Sequence, residues 1–181
     1  QQGVRYLHEA GVPHDVLQLI PGAGEVGAAL VRDARVQGVM FTGSTEVAQL
    51  IAKQLSMRLN QAGQPIPFVA ETGGLNAMVV DSSALAEQVV ADVITSAFDS
   101  AGQRCSALRI LCVQDEVADA MLTMLRGAMH ELQVANPDRL STDVGPVIDA
   151  EAQKTIQRHI AHMRQKGFQV EQLELDPACA H

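Results

Sequence analysis

The apolar and polar positions of this sequence fall into alternating blocks that predict strands and helices in turn. Short apolar runs predict strands, and apolar residues three or four positions apart predict helices with one apolar face. The predicted strands are residues 15–20, 36–41, 66–70, 77–80, 108–113 and 168–170. The predicted helices are residues 4–10, 25–32, 47–59, 85–98, 117–132 and 149–167. Strands that alternate with helices of this length indicate an α/β fold whose strands are largely parallel.

A pair of adjacent glycines divides this pattern into two parts. Gly73 and Gly74 stand together after a predicted strand, where two glycines suit a hinge or a close approach of the backbone. We therefore expect two subdomains that meet near this pair, residues 1–73 and residues 74–181.

Composition narrows the class of protein. The chain has 181 residues, of which 47% are hydrophobic and 3% aromatic, and its formal net charge is −8. It has no basic block and few aromatic rings for stacking, so a nucleic-acid partner is not indicated. No apolar run reaches the ~18 residues of a transmembrane segment, and no signal peptide is recognisable. The three cysteines make no disulfide framework and fit a reducing compartment, so we expect a cytoplasmic location.

Cys105 has the most unusual setting of any residue in the sequence. A predicted helix leads into it, a predicted strand leads out of it, and residues 100–102 allow the backbone to turn between them. It follows the polar residues Gln103 and Arg104, and a thiolate is a strong nucleophile. The alternative is a half-buried structural cysteine, since free cysteine is among the most buried residue types. Both interpretations stay open on this residue alone.

Two glycine-containing turns are candidate phosphate sites. Thr42-Gly43-Ser44-Thr45 joins a predicted strand to a predicted helix, so Gly43 permits a close backbone approach and Ser44 can cap the helix. The free N–H groups of a first helical turn favour an anion, although an ordinary capped helix start has the same sequence. Glycines 22, 24 and 27 match the G-x-G-x-x-G frame of dinucleotide sites, and a plain glycine-rich turn explains them equally well.

Glu71 ends a predicted strand, and α/β proteins place their site residues at the carboxyl ends of strands. A carboxylate there could act as a general base. The alternative is a solvated loop carboxylate, because glutamate side chains are mostly exposed.

Three motifs occur in order along the chain: Phe41-Thr-Gly-Ser-Thr45, then Glu71-Thr-Gly-Gly74 with Asn76, then Gly102-Gln-Arg-Cys105. This pattern closely resembles the aldehyde dehydrogenase superfamily, and the similarity runs through nearly the whole chain. Within the superfamily, four stretches are most similar to the L-glutamate γ-semialdehyde dehydrogenase module of the bifunctional proline utilisation A family: residues 71–78, 81–85, 99–109 and 143–149.

The resemblance implies an aldehyde dehydrogenase-like α/β fold. Residues 1–73 would form the C-terminal part of a Rossmann-like NAD-binding domain, and residues 74–181 the N-terminal part of the catalytic thiol domain. The implied reaction is the NAD-dependent oxidation of L-glutamate γ-semialdehyde to L-glutamate in proline catabolism. The parent protein would be a homo-oligomer and would carry FAD in a separate proline dehydrogenase domain.

The resemblance also implies roles for single residues. Cys105 would be the nucleophile that forms a thiohemiacetal and then a thioester, and its backbone N–H would supply half of an oxyanion hole. Glu71 would activate the water that hydrolyses the thioester. Gly43 and Ser44 would contact the pyrophosphate of NAD, and Gly73 would lie near its nicotinamide. Ser106 would help to hold the α-carboxylate of the substrate.

Some family features are absent from the sequence. The upstream Asn of the oxyanion hole, the upstream Lys that binds the adenosine ribose and the downstream Glu-x-Phe at the nicotinamide ribose have no counterpart. Leu75 replaces the Lys or Gln often found after the glycine pair, which affects no proposed catalytic role. Because the chain also begins with Gln1 rather than Met, we expect a piece of a longer protein that is inactive alone.

The other residues with reactive side chains have plainer interpretations. His159 and His162 lie three positions apart, but no further ligands complete a set, so we expect a surface helix and no metal site. Cys112 is expected in the core, and Cys179 is expected to be exposed.

Three functions compete for the parent protein. The first is the NAD-dependent oxidation of glutamate γ-semialdehyde, and the second is a CoA-acylating or other semialdehyde dehydrogenase of the same superfamily. Glu71 argues against CoA acylation, because only hydrolysis of the thioester needs a base that activates water. The third is a non-catalytic piece that serves folding or subunit contact.

Overall fold

Helices alternate with parallel strands along the chain, so the predicted α/β class is confirmed. The structure, a computed structural model, describes residues 1–175 and Cys179. It divides into two units, one from Gln1 to Gly73 and one that begins at Gly74. Each unit contains one parallel strand pair with a helical crossover.

The first unit consists, in chain order, of α1 (Gln2–Glu9), α2 (Gly24–Arg32), β1 (Val39–Thr42), α3 (Thr45–Leu55) and β2 (Phe68–Glu71). The two strands pair in parallel, from Val39 opposite Phe68 to Thr42 opposite Glu71. An apolar core forms where α2 and α3 meet the strand pair, because each helix turns its apolar stripe inward. Its members are Val31, Leu55 and Ile66, with Val39, Ile51 and Phe68 packed against them.

The second unit consists, in chain order, of β3 (Asn76–Val80), α4 (Ala86–Phe98), a short turn (Asp99–Gly102), β4 (Leu108–Val113), α5 (Asp115–His130) and α6 (Ala150–Gln165). The strands β3 and β4 pair in parallel. Val80, Val90 and Met121 are buried together, so β3, α4 and α5 share one core. Partly buried residues extend that core: Met78, Ala86, Val89, Ile94, Leu111, Val113, Leu125 and Ala128.

One face of each strand pair carries exposed apolar side chains. Met40 on β1 is 85% exposed, and Val79 on β3 is 80% exposed. Parallel strands are normally covered on both faces, which is why their sequences read as continuous apolar runs. These runs led the sequence analysis to the correct strands, although only one face of each is covered in this chain.

Two predicted strands are wrong. Residues 15–20 form a turn and irregular chain, and residues 168–170 are irregular. Val16 is 73% exposed and Phe168 is 57% exposed, so neither segment is packed as a strand would be. An apolar run becomes a strand only where a neighbouring strand pairs with it, and local pattern alone does not supply that neighbour.

Several element ends also differ from prediction. β1 begins at Val39 rather than at residue 36, and the Val36 carbonyl accepts a 2.8 Å hydrogen bond from the Arg58 guanidinium. Helix α3 ends at Leu55, and Leu59, predicted on its apolar face, is 61% exposed. Helix ends are set by caps and tertiary contacts as much as by periodicity.

Candidate active site

Cys105 lies in the loop that joins α4 to β4, and the backbone of this loop is unusual. Ser100 and Ala101 have φ angles of 56° and 54°, and Gly102 follows with a φ of 66°. The left-handed conformation costs an L-residue with a side chain about 1–2 kcal/mol. Such strain persists where the surrounding structure enforces it, and it concentrates at functional sites.

A second turn follows at once and presents the thiol. The Ala107 N–H donates to the Arg104 carbonyl at 3.1 Å, which makes Cys105 and Ser106 the two central residues of a β-turn. Both central residues are exposed, whereas Ala107 is completely buried. Ala107 therefore anchors the turn, and Cys105 and Ser106 are both exposed at its tip.

Two side chains of the neighbouring strands donate to backbone carbonyls of this loop, and one side chain of the loop donates to the preceding helix. Asn76 Nδ2 donates to the Cys105 carbonyl at 2.8 Å and to the Ala107 carbonyl at 2.9 Å. Arg109 donates to the Gly102 carbonyl at 2.6 Å. The Arg104 guanidinium donates to the carbonyl of Thr95 in α4 at 3.1 Å. The loop is thus attached to the start of both strands and to the preceding helix.

Gln103 connects the same loop to residues 146–148. Its side-chain oxygen accepts a hydrogen bond from the Ile148 N–H at 2.7 Å, and its side-chain nitrogen donates to the carbonyls of Ser100 (2.9 Å) and Pro146 (3.4 Å). No role for Gln103 or Asn76 follows from the sequence alone. Side chains that bond backbone groups across 29 or more positions leave no local pattern in a sequence, although both residues belong to the family-like motifs.

Glu71 is the last residue of β2 and is exposed. It pairs with Thr42 in the strand register, and its carbonyl accepts a hydrogen bond from the Gly43 N–H at 3.1 Å. The motif around Gly43 and the motif around Glu71 therefore start from the same edge of the β1–β2 pair. Glu71 belongs to the first unit and Cys105 to the second, and their joint action stays a prediction.

Ser44 caps α3, as expected. Its hydroxyl oxygen accepts a hydrogen bond from the Val47 N–H at 3.2 Å. The pKa of the Glu46 carboxyl is lowered, first by a hydrogen bond from its own backbone N–H and then by one from the Ser44 hydroxyl. The N-terminus of α3 therefore stabilises a negative charge, as expected from the helix dipole.

Close packing explains one glycine of the predicted phosphate motif, Gly43, and one of the predicted hinge, Gly74. A Cβ on Gly43 would lie 2.4 Å from the tip of the Phe41 ring, and a Cβ on Gly74 would lie 2.8 Å from the Cys105 carbonyl oxygen. A Cβ on Gly73 would meet no atom within 4 Å. The close backbone approach expected of the glycine pair is thus made by Gly74.

The glycine-rich frame at residues 22–27 behaves as a plain turn into α2. The dinucleotide fingerprint requires a strand directly before it, and the segment 15–20 is not a strand. A Cβ on Gly22 would overlap the Val26 side chain, which explains that glycine by local packing.

Both expectations for the remaining cysteines are wrong. Cys112 is exposed rather than in the core, because it lies on the uncovered face of β4. Cys179 is half-buried rather than exposed, and its thiol lies 3.3 Å from the Val134 carbonyl oxygen. His159 and His162 are exposed on α6. Among residues 1–175 and Cys179, no three His, Cys, Asp or Glu side chains come together as metal ligands, and no helix is long and apolar enough to cross a membrane.

Comparison with known proteins shows similarity to the aldehyde dehydrogenase family. The sequence profile of the aldehyde dehydrogenase family matches residues 3–176. The bifunctional protein PutA of Klebsiella aerogenes is 67% identical over 172 residues, which are 94% of this chain and 13% of that protein. The chain therefore spans about an eighth of the length of this relative.

The fold is also similar to solved structures of proline utilization A and of 1-pyrroline-5-carboxylate dehydrogenase. A substituted variant of proline utilization A from Bradyrhizobium japonicum matches with 52% identity and a TM-score of 0.84, over 91% of this chain and 17% of that one. A 1-pyrroline-5-carboxylate dehydrogenase from Thermus, solved with bound NAD, matches with 31% identity and a TM-score of 0.83, over 97% of this chain and 35% of that one. The resemblance based on three short motifs is confirmed.

Proposed function

Because the chain belongs to the aldehyde dehydrogenase family, we propose that its parent protein oxidises L-glutamate γ-semialdehyde to L-glutamate with NAD in proline catabolism. The observation that carries this proposal is the exposed Cys105 at the tip of a turn, in a loop that is hydrogen-bonded to β3, β4 and α4. The substrate is proposed from the high identity to PutA and from the similarity to a 1-pyrroline-5-carboxylate dehydrogenase.

Cys105 is the proposed nucleophile. Its thiolate attacks the aldehyde carbon, a C–S bond forms, and the carbonyl π electrons move to the oxygen to give a thiohemiacetal. Among the described residues, no backbone carbonyl accepts a hydrogen bond from the Cys105 N–H, so this group is free to stabilise the oxyanion. Loss of a hydride from the same carbon leaves a thioester on Cys105.

Glu71 is the proposed general base for the second half of the reaction. It takes a proton from a water molecule that attacks the thioester carbon. The tetrahedral intermediate then collapses, the C–S bond breaks, and the products are the carboxylate and the free thiol. An exposed carboxylate at the carboxyl end of a parallel strand is suited to this work, because it can reach solvent water.

The proposed NAD-binding residues are Gly43, Ser44 and Gly73. Bound NAD would accept the hydride. Support for a pyrophosphate site comes from α3, whose N-terminus already stabilises the Glu46 carboxylate and so favours negative charge. On this proposal the first unit is the C-terminal part of the NAD-binding domain.

The second unit is proposed to be the N-terminal part of the catalytic domain, where Ser106 helps to hold the α-carboxylate of the substrate. Support comes from the shared turn, since Ser106 follows the nucleophile directly and is exposed beside it. For the parent protein we further propose a homo-oligomer in the cytoplasm with FAD in a separate proline dehydrogenase domain, by analogy with PutA, the bifunctional relative.

The test is an assay of the full-length parent with glutamate γ-semialdehyde, with and without CoA. We expect NADH formation with NAD alone, and glutamate as the product by mass spectrometry. NADH that forms only when CoA is added would indicate a CoA-acylating enzyme instead. No NADH from any semialdehyde would favour a structural role for this segment.

A further inference from the structure

Asn76, the first residue of β3, makes two hydrogen bonds to the loop that carries Cys105. Its side-chain amide nitrogen has two N–H groups, and it bonds two carbonyls at once, that of Cys105 at 2.8 Å and that of Ala107 at 2.9 Å. These two carbonyls lie on either side of Ser106. One side chain therefore fixes the outgoing half of the turn that presents the thiol.

The strand pairing explains why Asn76 can reach the loop. Asn76 pairs with Leu108, but the next residue, Ala77, pairs with Ile110, so Arg109 is skipped and forms a bulge. A bulge bends its strand and re-aims the side chains around it. Here it occurs at the start of β3, next to the turn. The backbone at Gly74 also lies so close to the turn that a Cβ would be 2.8 Å from the Cys105 carbonyl oxygen.

Fixing a carbonyl fixes a whole peptide unit, because the peptide bond is planar. The Cys105 carbonyl bound to Asn76 sets the plane between Cys105 and Ser106. The Arg104 carbonyl, bound to the Ala107 N–H at 3.1 Å, sets the plane that contains the Cys105 N–H. Both peptide planes next to the thiol are therefore held, and Asn76 holds one of them.

We propose that Asn76 is a positioning residue, which fixes the Cys105 turn so that the thiol and the N–H group meet the aldehyde in the reactive geometry. The inference rests on the proposed function, since it assumes that Cys105 is the nucleophile. Asn76 acts through the backbone of the loop and does not itself touch the reacting atoms. An error of about 1 Å in the position of a catalytic group can cost on the order of a hundredfold in rate.

The experiment uses the full-length parent with Asn76→Ala and Asn76→Asp. The Asp side chain has the same shape but replaces the donor nitrogen with an acceptor oxygen, which repels the two carbonyls. We expect the single-turnover rate constant for NADH formation to fall at least tenfold in both variants. The KM for NAD should stay within twofold, and iodoacetamide should alkylate Cys105 at a rate within threefold of wild type, because the thiol stays present and exposed.

A matched control is Asn60→Ala. The Asn60 side chain also makes two hydrogen bonds to backbone groups, accepting from the N–H of Ala62 and of Gln64, both at 2.9 Å. Its loss should lower the melting temperature and leave the single-turnover rate constant unchanged. Gly74→Ala gives an independent arm, because its new Cβ pushes on the Cys105 carbonyl while Asn76 is kept. We expect it to reproduce the slow single turnover.

The outcomes separate the two hypotheses. A wild-type parent that forms no NADH contradicts the proposed function. A wild type that does form NADH, with Asn76 variants that fold and keep a single-turnover rate constant within threefold, contradicts this inference alone. Loss of folding in both Asn76 variants at 25 °C also counts against it, since Asn76 would then hold the unit together and not only the turn.

Discussion

The Arg109 guanidinium donates a 2.6 Å hydrogen bond to the carbonyl of Gly102. Gly102 is the last of three consecutive residues in the left-handed conformation, and Arg109 is the bulged residue of β4. The contact connects the bulge in β4 to the left-handed run in the preceding loop. A left-handed run costs free energy, and this hydrogen bond is one contact that holds it in place.

Replacing Gly102 tests how much the loop depends on this arrangement. In Gly102→Ala the new side chain would occupy a φ of 66°, and its Cβ would lie 2.8 Å from the Ala97 carbonyl oxygen. We expect the free energy of unfolding to fall by about 1–2 kcal/mol from the backbone conformation, with a further loss from the clash. Urea unfolding followed by circular dichroism measures the change.

Gly127→Ala is the control for that substitution. Gly127 lies inside α5, and a Cβ there would meet no atom within 4 Å. The same change should therefore raise the free energy of unfolding by about 0.5–1 kcal/mol through helix propensity. Equal effects at the two glycines would show that the left-handed turn is not a constraint in solution.

Cys105→Ser in the full-length parent should reduce aldehyde oxidation by about two orders of magnitude or more, because a serine hydroxyl is a much weaker nucleophile than a thiolate. Binding of NAD, followed by calorimetry, should be nearly unchanged. Cys112→Ser serves as the control and should retain activity, since no role is proposed for that exposed thiol. Turnover above a tenth of wild type in the Cys105 variant would rule out the proposed nucleophile.

Glu71→Gln should slow the release of product more than the formation of NADH, because only the attack of water needs a base. A stopped-flow trace should show a burst of NADH, close to one per active site, and then a slow phase. Glu87→Gln, at an exposed carboxylate in the first turn of α4, should show wild-type turnover. Disappearance of the burst itself would mean that Glu71 positions Cys105 or the cofactor.

The 181-residue chain alone is expected to form no NADH and to bind NAD weakly. The ribose-binding Lys and Glu-x-Phe of the family are not in this sequence, and each lost hydrogen bond to a charged group costs about 1.5–3 kcal/mol. Two such losses weaken binding roughly a hundredfold or more. Exposed apolar residues such as Met40 and Val79 should also favour self-association, which light scattering would detect. Micromolar binding of NAD by the isolated chain, measured by calorimetry, would contradict this prediction.

Much of the fold could be predicted from the sequence. Among the described residues, each of the four strands overlaps a predicted apolar run. Ser44 caps α3 as expected, and α6 begins at the predicted position, with Asp149 as its cap. These features are local, since a helix face, a cap and a strand run depend on residues close in the chain. The order of the three motifs also sufficed to identify the family.

The tertiary structure decided which apolar runs became strands and how the turn that carries Cys105 is held. Segments 15–20 and 168–170 have the local pattern of strands but not the neighbour that a strand needs. The sequence could identify Cys105, but not the Asn76 amide that holds its carbonyl from 29 residues away. Hydrogen bonds of this kind join groups that only folding brings together. The bulge at Arg109, next to the Asn76 hydrogen bonds, is a property of the two paired strands and not of either strand alone.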